Sequence, residues 1–163
     1  MSRKKRITYI AYGSNMDPVQ MRRRCPGACL VGTGTIHGWE MFFKGSKTGS
    51  YATIEPGEQT IPVYIWSISK WDEQNLDIYE GFPRFYIKKD IEAVLDNGEK
   101  ITGMVYIMAD GAQPGLPTRQ YFNNIREIYE NHEWDDRVLW DGIDATTKHI
   151  RQLYERGADN EKH

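Results

Sequence analysis

Hydrophobic positions along this chain follow strand spacing for about two thirds of its length and helical spacing thereafter. Ile7 to Ala11 is a short apolar strand that runs out at Tyr12-Gly13-Ser14-Asn15. Asp17-Pro18 then signals a helix start, with Asp17 as cap and Pro18 at the first helical position. Pro18 to Arg24 is a short basic helix that Pro26-Gly27 ends. Ala28 to Lys44 is extended, with Leu30, Val31, Thr33, Thr35, Ile36, Trp39, Met41, Phe42 and Phe43, and His37-Gly38 marks a bend or bulge. Gly45 to Ser50 is a turn. Tyr51 to Glu55 is a strand stopped by Pro56-Gly57, and Pro62 to Ser67 is the next.

Ser69-Lys70-Trp71-Asp72 is a capping box opening a helix over Lys70 to Glu80, with Gly81 at its C-terminal glycine position. Phe85 to Leu95 and Ile101 to Met108 pair through a turn at Asp96-Asn97-Gly98, and Met104, Tyr106 and Met108 alternate against Val105 and Ile107. After a Gly/Pro-rich connection, Gly111 to Pro117, Thr118 caps a helix to about Glu130. Its Tyr121, Phe122, Ile125, Ile128 and Tyr129 share a face. His132 to Asp136 reads as a loop. A last helix spans about 137–156, followed by a frayed tail over 157–163. About six strands followed by helices make an α+β domain with helices against a strongly curved sheet or small barrel.

The length, 163 residues, fits one domain over 1–163 and permits a real core. Ten Tyr, five Trp and fifteen Gly suit a β-rich chain with many turns. A net charge of −2 provides no field for nucleic acid. The basic tail, residues 1–6, and Arg22-Arg23-Arg24 leave a salt-sensitive nucleic-acid contact as a minor alternative. Cys25 and Cys29 make neither a disulfide framework nor a structural zinc site, and the four histidines lack metal-ligand spacing. The apolar run after the basic start is too short for a signal peptide or membrane helix, so the expectation is a soluble cytoplasmic protein.

Two stretches carry candidate chemistry. At Tyr12-Gly13-Ser14-Asn15, Gly13 admits unusual backbone conformations, and successive N–H groups beside a helix start suit a carboxylate or phosphate. An ordinary polar turn fits the spacing equally. In Tyr79-Glu80-Gly81-Phe82-Pro83-Arg84-Phe85-Tyr86, one carboxylate sits among aromatic residues at a helix C-terminus. Both features disfavour its ionised form, as a general acid/base working near neutral pH requires. A surface Glu80 paired with Arg84 is the other reading. A lone carboxylate argues against glycosidase chemistry, and no activated Ser or Cys or nucleotide-binding glycine pattern is present.

Together these stretches, with Tyr51-Ala52-Thr53-Ile54, Pro83-Arg84-Phe85-Tyr86 and Thr118-Arg119-Gln120-Tyr121, resemble the γ-glutamylcyclotransferase family of the AIG2-like superfamily. The likeness covers about Tyr9 to Tyr129. Met16 stands where the family often has Leu. The helix beyond about Asp136 carries none of the motifs. The resemblance implies a small mixed β-barrel with flanking helices. It implies an enzyme in which the α-amine of a γ-glutamyl amine, dipeptide or carrier-linked group attacks its own γ-carbonyl, giving 5-oxoproline and a free amine. Glu80 would be the general acid/base, and Gly13, Ser14 and Asn15 would hold the glutamyl end through backbone N–H groups. Tyr12, Tyr86 and Tyr121 would line the pocket. The implied partner is a small-molecule substrate, with no metal, organic cofactor, nucleic acid or membrane. The leaving-group side is expected from loops such as Gly45 to Ser50 and Ala109 to Pro117. Oligomeric state stays open. The alternative is a non-catalytic module binding a glutamyl or other carboxylate ligand on the same barrel.

Overall fold

The computed structural model describes residues 5–46 and 49–161. Residues 1–4 of the basic tail, Lys47 and Thr48 of the expected turn, and Lys162 and His163 of the tail lie outside the described residues.

Five strands close into a barrel. β1 (Ile7–Ala11) lies between β3 (Gly49–Ile68), to which it is antiparallel, and β5 (Lys100–Met108), to which it is parallel. β5 pairs with β4 (Tyr86–Leu95) in the expected hairpin, with Gly98 at φ 90° in its turn. β4 meets β2 (Cys29–Ser46) through Gly34–Leu95 and Thr35–Val94, and β2 returns to β3. Gly34 permits that closure: a Cβ there would stand 2.3 Å from the Val94 carbonyl oxygen. The barrel has no free edge to cap, which suits a small β-rich domain. β6 (Gln113–Pro114) adds to β2 outside the ring.

The six strands are not quite those expected. Tyr51–Glu55 and Pro62–Ser67 are parts of one continuous β3, and the sixth strand arises within the Gly/Pro connection. Pro56-Gly57 does not stop β3 because it falls opposite a bulge. The register shifts around Trp39, which faces both Pro56 and Gln59, and Gly38 takes φ 83°. A bulge tolerates a proline that donates no ladder hydrogen bond.

Four helices flank the barrel. α1 (Pro18–Arg24) is capped by Asp17, which accepts from Val19 N at 3.0 Å. α2 (Lys70–Glu80) has the expected capping box and ends at Gly81 in the left-handed conformation, φ 67°. α3 (Arg119–Asn131) starts at Thr118, which accepts from Tyr121 N at 3.2 Å. α4 (Arg137–Glu161) passes through Gly157 and extends beyond the expected helix into the segment read as a frayed tail. α4 lies on β2, where Thr146 Oγ1 accepts from Phe43 N at 3.0 Å. The apolar core joins both halves of the chain, from Ile10 and Met16 to Tyr129 and Leu139. Among the described residues, no helix is long and apolar enough to cross a membrane.

Candidate active site

β1 leads through buried Tyr12 to Gly13 and a single 3-10 turn, Ser14–Met16. Its first internal bond runs from Met16 N to Gly13 O at 3.0 Å. The N–H groups of Gly13, Ser14 and Asn15 therefore precede any partner within the turn. Met16 is fully buried and pins the turn to the core. Gly13 sits at φ −122°, outside the left-handed region, so positive φ is not why glycine stands there. A Cβ there would stand 3.5 Å from the Tyr121 hydroxyl, an ordinary contact distance.

This turn faces the end of α2 across a cavity of about 720 Å3. Glu80, the last residue of α2, lines that cavity with Tyr12, Gly13, Ser14 and Asn15. Tyr86 and Tyr121 line the same cavity, so all seven expected site residues share one space. Two Tyr–backbone ties fix their orientation. Tyr12 OH donates to Tyr106 O at 2.6 Å, and Tyr86 OH donates to Ala52 O at 3.0 Å. Tyr121 OH instead accepts from Ala52 N at 3.1 Å. Its own proton therefore remains to be donated.

Asn15 is the hub on the loop side. Its Nδ2 donates to Tyr9 OH at 2.9 Å and to Glu80 Oε1 at 3.3 Å, while Trp66 Nε1 donates to its backbone oxygen at 3.1 Å. Burial pushes the Glu80 carboxyl up to about 7, against the Arg24 charge and the Asn15 hydrogen bond, which both pull it down. Arg84 is exposed, and among the described residues it forms no ion pair with Glu80. The cation beside Glu80 is Arg24, whose guanidinium lies 3.3 Å from the Tyr79 ring centre.

Tyr9, Tyr106 and Arg24 are among the contributors not assigned to the site from sequence. Tyr9 and Tyr106 come from β1 and β5, and both line the cavity. Period-two alternation in β5 marked Tyr106 as sharing a face with Met104 and Met108, but nothing in one strand told which face is inside. Arg24 was read within a basic run, and only packing separates it from exposed Arg22 and Arg23. The expected leaving-group loops are a correction. Neither 45–50, so far as it is described, nor 109–117 lines the cavity, whose lining beyond the expected residues includes Gln20 on α1, Ile78 and Tyr79 on α2, and Asn124 and Ile128 on α3. The two loops meet where Gly45 pairs with Gln113.

None of the curated proteins matches this chain. Among solved structures, a gamma-glutamyl cyclotransferase superposes with TM-score 0.72 at 23% identity, covering 78% of this chain and 80% of its own. An uncharacterized protein from Homo sapiens gives 0.71 at 24%, covering 77% and 79%. YkqA from Bacillus subtilis gives 0.67 at 20%, covering 78% of this chain and 49% of its own. At these identities the likeness speaks for the fold. A family model described as gamma-glutamyl cyclotransferase, AIG2-like, matches residues 9–136, and the chain belongs to that family.

Proposed function

We propose that the cavity binds a γ-glutamyl amine, dipeptide or carrier-linked γ-glutamyl group and cyclises it to 5-oxoproline, releasing the amine. Family membership supports a cyclotransferase-type activity. The observation that carries the finer reading is Glu80, a carboxyl raised to about 7 on the wall of a cavity that Gly13, Ser14 and Asn15 also line. Such a group exchanges protons readily near neutral pH.

The γ-glutamyl α-carboxylate sits on the N–H groups of Gly13, Ser14 and Asn15. Glu80 takes a proton from the α-ammonium, and the freed amine attacks the γ-carbonyl carbon. The ring C–N bond forms as the carbonyl π pair moves onto oxygen, where the Tyr121 O–H is placed to donate. Glu80 then gives its proton to the leaving nitrogen, and the bond to that nitrogen breaks. The ionised carboxylate takes the remaining proton from the ring nitrogen, leaving a neutral lactam, and passes it to the departing amine. Five-membered closure needs a folded substrate more than a covalent enzyme intermediate, and Tyr12 and Tyr86 supply fixed walls for that folding. A small-molecule substrate and a cytoplasmic setting, without nucleic acid or membrane, belong to the same proposal.

The test is 5-oxoproline release from a panel of γ-glutamyl amines, dipeptides and a carrier-linked γ-glutamyl group, with Glu80→Gln alongside. Release by the parent and its loss in the variant support the reading. Equal release by both overturns the role of Glu80. Silence across the whole panel, with γ-glutamyl ligands still binding, leaves a binding module in its place.

A further inference from the structure

Arginine carries only hydrogen-bond donors. The Asn15 side-chain atom that meets Arg24 must therefore be its oxygen, and Arg24 Nη1 does donate to Asn15 Oδ1. With the oxygen so engaged, the amide nitrogen can point only the other way, toward Tyr9 OH and Glu80 Oε1. Arg24 is itself held. Its guanidinium lies 3.3 Å from the Tyr79 ring centre and reaches Ser14 Oγ at 3.5 Å. Tyr79 immediately precedes Glu80 in α2, so one side chain joins α1, the 3-10 turn and the end of α2.

We propose that Arg24 is a positioning residue for Glu80: by fixing the Asn15 amide it delivers a hydrogen bond to the carboxylate and holds the loop against the α2 terminus. This deepens the cyclotransferase reading and rests on it for its consequence in turnover. Five tyrosines among the described residues couple to Glu80: Tyr9 from β1, Tyr12 after it, Tyr86 from β4, Tyr106 from β5 and Tyr121 from α3, and Asp17 lines the same cavity. Burial raises the pKa of each tyrosine, so they stay neutral where Glu80 titrates. Arg24 is the charge that opposes the effect of burial on the Glu80 carboxyl. Asn15 is the donor that Arg24 aims.

The test is the titration of the Glu80 carboxyl by 13C NMR in the full chain, assigned with Glu80→Gln. Parent, Arg24→Met, Arg24→Lys and Tyr79→Ala are compared. Removing a nearby opposite charge raises a carboxyl pKa by roughly one unit or more, which is the shift expected for Arg24→Met. Arg24→Lys, a point charge without the planar fork, should recover part of it. Tyr79→Ala, at an exposed ring, should loosen the guanidinium and give a smaller shift of the same sign. It also keeps the question open to measurement if Arg24→Met does not fold. An unmoved midpoint in folded Arg24→Met, or in Tyr79→Ala where that variant alone folds, overturns the proposal. If the parent releases 5-oxoproline, the acid limb of kcat/KM should move up with the midpoint while KM stays within about threefold. A KM rise beyond tenfold with the midpoint unmoved would make Arg24 a substrate contact instead. If the parent releases nothing, the cyclotransferase reading fails, and the titration still decides whether Arg24 positions Glu80.

Discussion

Where α4 lies on β2, polar groups close on one another. Thr146 accepts from Phe43 N at 3.0 Å and donates to Gly142 O at 2.7 Å. Gly142 lets the helix sit so near that a Cβ would stand 3.0 Å from Met41 O. On the pocket side the same residue chemistry is left partly open. Tyr121 accepts one bond and keeps its proton, and Glu80 receives one long bond at 3.3 Å while losing much of its hydration. A helix–sheet seam satisfies its polar groups internally because an unpaired buried one costs about 1–3 kcal/mol. A pocket keeps that capacity in reserve, and a ligand completes it. Thr146 and Tyr121 are therefore told apart by what they leave unused.

Glu80→Gln should separate the two regions most sharply. Turnover should fall by about 10²–10⁴-fold, the usual contribution of general acid–base catalysis, as read by 5-oxoproline release. Stability should move the other way. The Glu80 pKa rises from 4.5 to about 7 on folding, so the folded state binds the extra proton between those values. Parent stability should fall as pH rises from about 4.5 to 7. Glu80→Gln should remove that slope and gain at most about 3 kcal/mol above pH 7 in urea unfolding.

The next effect belongs to the seam. Gly142→Val should cost about 2 kcal/mol through overpacking against Met41 O and Phe43, with activity per folded molecule unchanged. A loss of turnover without a loss of stability would erase the distinction between the regions.

Tyr121→Phe should lower kcat about tenfold by removing one transition-state donor. It should also cost about 1 kcal/mol, because Ala52 N loses its acceptor. Tyr129→Phe is the smallest change. Its hydroxyl is buried and, among the described residues, has no hydrogen-bond partner, so thermal unfolding should be unchanged or raised by up to about 1 kcal/mol.

Much of this was legible along the chain because it depends on local chemistry. The Ser69–Asp72 capping box, the Gly81 cap and the Asp96-Asn97-Gly98 turn are each specified within a few residues, and each stands as read. So does the His37-Gly38 bulge. The fate of Pro56-Gly57 was not local. Whether a proline ends a strand depends on what lies opposite it, and here the bulge at Trp39 absorbs it.

The sequence by itself determined the helix starts and caps, the β4–β5 hairpin and the two stretches that bear the chemistry, since propensity, capping and motif spacing are properties of neighbouring residues. Tertiary structure alone decided how far Glu80 is desolvated, that Arg24 rather than Arg84 is its cation, and that Gln20, Tyr79, Asn124 and Ile128 join the cavity lining. Those facts follow from how the barrel closes and where α1, α2 and α3 converge on it. A carboxyl's proton affinity is set by the atoms around it, and most of those atoms come from distant parts of the chain.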